Sequence, residues 1–250
     1  MENLIVQKFS GKVMQDVTTR QLAIRQVKEV LATGHRVIAV VSAPKGPAQP
    51  YATASLEKLV GGDFSALQPR ELAQLVGTGE VIAMSLMVNE MRQQGLNVVG
   101  LTGPQAGIYT NEHYQKAQIA RLDKQPIEQA FAAAAQVVVV AGFQGQNAAG
   151  QLTTLEVGGS DITAAVLAAA FGAQRLDFFV DVSPAKSLRL KQVTGPTLTT
   201  TLTYQQLAHS AGAQVIHPQA LSIAQQAALP LRLQLVNRQG EATWTIVKPA

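Results

Sequence analysis

The run Val137-Val138-Val139-Val140-Ala141, ending at Gly142, constrains the fold more than any other stretch of the chain. Four valines in series have no polar face. Such a run fits a strand covered on both sides, as in a parallel sheet. The sequence continues GFQGQNAAGQLTTLEVGGSDITAAVLAAA. A Gly- and Asn-containing loop leads to Gly158-Gly159-Ser160-Asp161, and an alanine-rich run follows, closed by Gly172. The pattern reads as strand, loop and helix (Asp161–Phe171). The helix start is suited to an anion, because its first N–H groups lack intrahelical partners and the dipole favours negative charge there.

The same alternation runs along the whole chain. Leu4–Val6, Val37–Val41, Val98–Leu101, Leu176–Val182, Leu231–Val236 and Thr243–Val247 read as strands. Val17–Leu31, Tyr204–Ala211 and Pro218–Ala227 carry helical spacing. Pro69-Arg70-Glu71 opens a long helical stretch to Gln94, with Pro suited to a first turn and Gly95 as its stop. Strands alternating with helices argue for an α/β fold, a mostly parallel sheet with helices on both faces. With no internal repeat and Gly61–Gln68 as the loosest connector, the reading is one domain over residues 1–250.

In open α/β sheets, ligands bind beyond the carboxyl ends of the strands. Those ends here are Lys8-Phe9-Ser10-Gly11, Ser42-Ala43-Pro44-Lys45-Gly46, Thr102-Gly103, Gly142-Phe143-Gln144-Gly145 and Asp181. Several glycine-bearing loops on one edge suit a phosphate-bearing ligand, since glycine lets backbone N–H groups approach closely. Lys8, Ser42, Thr102, Gly142 and Asp181 are therefore expected at one sheet edge.

Composition removes other classes. The 250 residues carry a net charge of +4, but the basic residues are scattered and not interleaved with aromatics, which argues against a nucleic-acid partner. There is no cysteine, hence no disulfide and no thiolate metal site, in keeping with a reducing cytoplasm. No apolar run approaches the ~20 residues of a membrane span, and no signal pattern opens the chain. His35, His113, His209 and His217 lack metal-ligand spacing, and no nucleophile elbow or triad signature is present.

Several motifs in series resemble those of the amino acid kinases, and within them the aspartokinases. VQKFSG is similar to the family's VQKFGG, and RELAQLVGTGE to RELDMLLSTGE. LTGPQAGI is similar to LTGWQAGI, VVVAGFQG matches the common form, and TTLEVGGSD resembles TTLGRGGSD. AQVIHPQAL resembles AKVLHPRAV. The resemblance covers nearly the whole chain in order. It implies a three-layer αβα sandwich of the carbamate kinase-like kind and transfer of a phosphoryl group from ATP, with Mg held through the phosphates, to the side-chain carboxylate of aspartate or a related amino acid.

By that resemblance, Lys8 neutralises the transferring phosphoryl and Asp161 orients the lysine. Ser10 and Gly11 offer backbone N–H groups to the phosphates, and Ser42, Gly158, Gly159, Asp181 and Lys191 also serve the nucleotide and its phosphates. Thr78, Glu80 and Ser160 serve the substrate, Glu80 pairing with its ammonium. Taken alone, Lys8 also reads as an edge lysine, Glu80 as an early-helix acid and Asp161 as a plain helix cap. A homodimer through the segment 69–94, a cytoplasmic location and no C-terminal regulatory ACT domain are further expectations.

The departures from the family pattern concern charge. The family's Thr-Ser is Lys12-Val13 here, and the arginine before GGSD, a clamp for a carboxylate, is Val157 beside Glu156. Gln214 and Gln219 stand where the family has Lys and Arg. DVDGVYTADPR is replaced by DVSPAKSLRLK, with Lys191 at the arginine. These changes keep a second reading open: a non-catalytic relative that binds nucleotide or a protein partner.

Overall fold

The computed structural model describes residues 3–44, 49–62, 66–180, 199–209, 215–236 and 242–248. Asp181, Lys191 and Gln214, like Lys45 and Lys186, lie outside the described residues. In chain order the elements are β1 (Leu4–Phe9), α1 (Val17–Ala32), β2 (Arg36–Val41), α2 (Thr53–Leu59), α3 (Pro69–Gln93), β3 (Val98–Leu101), β4 (Ile108–Thr110), β5 (Ile119–Leu122), α4 (Gln125–Ala132), β6 (Val137–Ala141), β7 (Gln144–Gln146), β8 (Leu152–Thr154), α5 (Gly159–Ala170), β9 (Arg175–Val180), β10 (Thr199–Thr203), α6 (Tyr204–His209), α7 (Pro218–Gln226), β11 (Leu231–Val236) and β12 (Ala242–Lys248). They form two compact units, Met1–Val37 with Asp161–Ala250, and Ile38–Ser160.

The first unit is built on strands in the order β10-β12-β11-β9-β1. β1, β9 and β11 run parallel, β10 is parallel to β12, and only the β11–β12 pair is antiparallel. Alternation gives one face to Leu4, Val6, Leu176, Phe178, Leu231 and Leu233, all buried. The opposite face carries a polar row in register, Gln7–Asp177–Arg232. Asp177 has no solvent exposure and accepts hydrogen bonds from Arg232 (2.8 and 2.9 Å) and Arg175 (3.0 Å). Farther along that face Phe9 and Phe179 stack with centroids 4.6 Å apart. Asp16 caps α1, accepting from Thr19 N at 2.9 Å, and the helix buries Ala23, Ile24, Val27 and Val30 along one stripe.

The second unit holds β2, β6 and β3 in that order, with β3 and β6 parallel. The N–H of Gly142 donates to the Val41 carbonyl at 3.0 Å, so β2 and β6 end together. A separate four-stranded sheet, β5-β4-β7-β8, lies in the same unit. α3 begins with Pro69 in its first turn and ends before Gly95, whose φ of +79° is a conformation glycine adopts freely. It packs on β3, β6, β8 and α2. The approach is close: a Cβ on Gly100 of β3 would lie 2.3 Å from the Met84 sulfur. By length and composition α3 could cross a membrane, but half of its apolar segment is buried inside the protein.

Candidate functional site

In the first unit the chemistry gathers at the end of β1. Lys8, the penultimate residue of β1, projects from the apolar face, where a free ammonium would be costly to bury. It is paired: Nζ lies 2.6 Å from Oδ1 of Asp161, with both side chains about nine-tenths buried. Asp161 is the third residue of α5, and it does not cap its own helix. Its second oxygen, Oδ2, accepts from the His217 backbone N–H at 3.0 Å, at the start of α7. His217 in turn caps α7 through Nδ1, which accepts from Gln219 N at 3.2 Å. One carboxylate thus ties β1, α5 and α7 together and holds the lysine in place.

Ser10 corrects one expectation. Its backbone N–H is not available to a ligand, because it donates to the Phe179 carbonyl at 3.1 Å and extends the β1–β9 ladder. Its carbonyl accepts from Met14 N at 3.1 Å. What Ser10 has left is its hydroxyl, whose oxygen is buried and makes no hydrogen bond. The turn that follows places Gly11 in the interior and Lys12 in solvent, and it buries Val13 and Met14. The buried Arg20 braces this turn by donating to the Met14 carbonyl at 3.1 Å.

In the second unit Ser42, Thr102 and Gly142 stand at the carboxyl ends of β2, β3 and β6, on one edge as expected. Ser42 is buried, and the next residue, Ala43, donates its N–H to Oε1 of Glu80 at 3.0 Å. Glu80 is 4% exposed, and its other oxygen, Oε2, is buried and accepts no hydrogen bond. Burial pushes the Glu80 carboxyl up to about 8, against the smaller opposing effect of the Ala43 N–H. No cation among the described residues pairs with it. Thr78 does not share its face. Two residues apart on a helix means nearly opposite sides, and Thr78 is exposed with its hydroxyl donating to the Leu75 carbonyl at 2.5 Å.

Gln144, fully buried, bridges the surrounding elements. Nε2 donates to the Gly77 carbonyl at 2.9 Å, one turn before Glu80, and Oε1 accepts from Gly103 N at 3.4 Å. Sequence reasoning passed over both Gln144 and the Ala43 N–H. An interior glutamine beside a glycine-rich loop was the available signal.

The Gly158-Gly159 pair has a structural cause of its own. Gly158 takes a φ of +91°, and a Cβ on Gly159 would lie 2.5 Å from the Leu155 Cβ. Gly159 N donates to the Glu156 carbonyl at 2.8 Å, so the pair supports the start of α5 rather than offering two free donors. Ser160 is buried against Gly142, where a Cβ would lie 2.8 Å from its own. Val157, in contrast, is 85% exposed on the loop before α5. Among the described residues no cluster of three or more His, Cys, Asp or Glu side chains could hold a metal ion.

The end of β1 thus carries a buried lysine–aspartate pair beside the start of α5. The amino acid kinase family model matches residues 3–234, and the chain belongs to that family. It is similar to aspartokinase 1 of Bacillus subtilis, 39% identical over 244 residues, covering 96% of this chain and 60% of the relative. It is also similar to an aspartokinase of Geobacillus stearothermophilus, 34% identical over 95% of this chain and 58% of the relative. The chain therefore spans about 60% of the length of these relatives. Among solved structures, aspartate kinase from Synechocystis superposes with a TM-score of 0.77 at 28% identity, over 99% of this chain and 40% of that one. UMP kinase from Ureaplasma parvum shares the fold alone, with a TM-score of 0.63 at 14% identity, over 99% of this chain and 100% of that one. The αβα fold with a mostly parallel sheet is the amino acid kinase fold.

Proposed function

We propose that this chain is an aspartokinase-type catalytic region that transfers a phosphoryl group from ATP to the side-chain carboxylate of aspartate or a close relative. The observation that carries the reading is the buried Lys8–Asp161 pair at 2.6 Å. Both the donor phosphates and the acceptor carboxylate are anionic, so the protein's task is to supply positive charge and alignment. Lys8 places its ammonium against the transferring group. Asp161 fixes the position of that ammonium, itself held by the His217 N–H. Magnesium, carried on the phosphates, neutralises part of their charge. Glu80 offers its free oxygen to the acceptor's ammonium. Asp181 and Lys191 keep their assignment to the nucleotide as part of this proposal, whereas Thr78, on the far side of α3 from Glu80, is left out of it. The relatives' names support aspartate as acceptor. A homodimer and a cytoplasmic location belong to the same proposal.

Trapping the acyl phosphate as a hydroxamate tests the reading. The purified chain with Mg-ATP and aspartate is expected to form it, and the signal should vanish without aspartate. The exposed, uncharged Val157 favours a second reading, nucleotide binding without turnover. Nucleotide binding by calorimetry with no hydroxamate from any amino acid would select it.

A further inference from the structure

The fold leaves the Ser10 hydroxyl without a use. Its oxygen is buried and makes no hydrogen bond, while both backbone groups of the same residue are committed to Phe179 and Met14. An unsatisfied buried hydroxyl costs stability, which a finished core avoids by placing alanine there. The direction of the side chain follows from the ladder. The bond from Ser10 N to Phe179 O continues the β1–β9 pairing one residue beyond Phe9, so alternation puts Ser10 on the face that carries Lys8. It stands one step nearer the carboxyl end than the ammonium that meets Asp161. A hydroxyl donor beside an ammonium complements an oxyanion, because each supplies what an anionic oxygen accepts.

We infer that Ser10 is a binding and specificity-determining residue whose Oγ–H donates to an oxygen of the terminal phosphoryl group of the nucleotide. The inference rests on the phosphotransfer reading and adds to it a side-chain donor. A donor at that place distinguishes a nucleoside triphosphate from a diphosphate, which lacks the terminal group. The acceptor's carboxylate is the other oxyanion that could take the same bond, and it is separated experimentally.

Calorimetry on the 250-residue chain, native and with Ser10→Ala or Ser10→Thr, is the test. The ligands are a non-hydrolysable ATP analogue with magnesium, ADP with magnesium, and aspartate. Ser10→Ala is expected to weaken the ATP analogue about tenfold and to leave ADP and aspartate within about twofold, with Ser10→Thr close to native. The ligand-free melting temperature of Ser10→Ala should stay level or rise, because only an unsatisfied group is removed. Equal weakening of ADP, a loss confined to aspartate, or a fall in ligand-free melting temperature with unchanged affinities would each overturn the assignment. If the native chain binds no nucleotide, the phosphotransfer reading fails with it. If the native chain binds the analogue and Ser10→Ala binds it equally, only the Ser10 inference fails.

Discussion

The buried acids of the two compact units include two opposite cases. In the first, Asp161 faces Lys8 and Asp177 faces Arg175 and Arg232, so each carboxylate has a cation supplied by the fold. In the second, Glu80 has a single backbone N–H and an idle oxygen. Burial pushes the Glu80 carboxyl up to about 8, with no ion-pair partner among the described residues. A paired acid is permanent structure that keeps a lysine or a strand in place. An acid without a cation is a charge vacancy, stable as the neutral acid until a cationic group arrives. On the proposed function, Glu80 is the partner for the acceptor's ammonium.

The contrast is broken most severely at Lys8. Lys8→Met fills the same space but leaves Asp161 buried without its cation and removes the ammonium from the transferring group. The hydroxamate rate should fall about 10³-fold or more, while loss of a single aligned donor typically costs ~10²–10³. Lys8→Met with activity within tenfold of native would remove Lys8 from the mechanism. Asp177 is the counterpart with no assigned chemistry. Asp177→Ala leaves two guanidiniums crowded on one sheet face, and a loss of about 3 kcal/mol in denaturant unfolding is expected, with kcat per folded molecule unchanged. An activity loss exceeding the folding loss would show that this cluster serves more than the sheet.

Glu80 sharpens the comparison through pH. Its folded value of about 8 stands above the usual 4.5. Stability from this group is therefore full below 4.5 and is lost as pH rises toward 8. Glu80→Gln should remove that slope: little difference from native near pH 4.5, and a higher melting temperature than native at pH 8. The substrate effect has the opposite sense. An ammonium needs the ionised carboxylate, so the native KM for the amino acid should rise roughly tenfold per pH unit below about 8. Glu80→Gln should raise KM about a hundredfold and flatten that profile. A KM independent of pH in the native chain would detach Glu80 from the acceptor.

Much of this architecture was legible in the chain. The all-apolar strands and the Pro69 start and Gly95 stop of α3 follow from periodicity and turn chemistry. The four-stranded sheet was not legible. β4, β7 and β8 are three residues each, IYT, QGQ and LTT, too short and too mixed for a period to appear. α2 and α4 are likewise short, with few buried positions. For the site, residue types marked Lys8, Asp161 and Glu80, but the partners did not follow from spacing. Asp161 reads as a helix cap until the fold brings Lys8 and the His217 N–H to it. Ser10 reads as a backbone donor until the ladder consumes its N–H. Those bonds join positions far apart in sequence, which no local pattern encodes.

The smallest expected effect concerns Val157. It is 85% exposed, so replacing it touches no core contact, and Val157→Arg should change stability by less than about 0.5 kcal/mol. Its consequence is for charge. The loop before α5 carries Glu156 and no cation between Leu155 and Gly159. A guanidinium there gives an acceptor's carboxylate a bidentate partner, worth about a tenfold lower KM for aspartate. The nucleotide KM should not move. Glu156 competes for the same guanidinium, so the gain should grow in Val157→Arg combined with Glu156→Gln. A gain confined to substrates with an α-carboxylate, and absent for an amino acid amide, would place this loop at the carboxylate end of the acceptor, complementary to Glu80 at the ammonium. If KM falls equally for the amide, the arginine acts as a diffuse positive charge. If nothing moves, Val157 lies away from the substrate, and the exposed valine is a surface residue without a role in recognition.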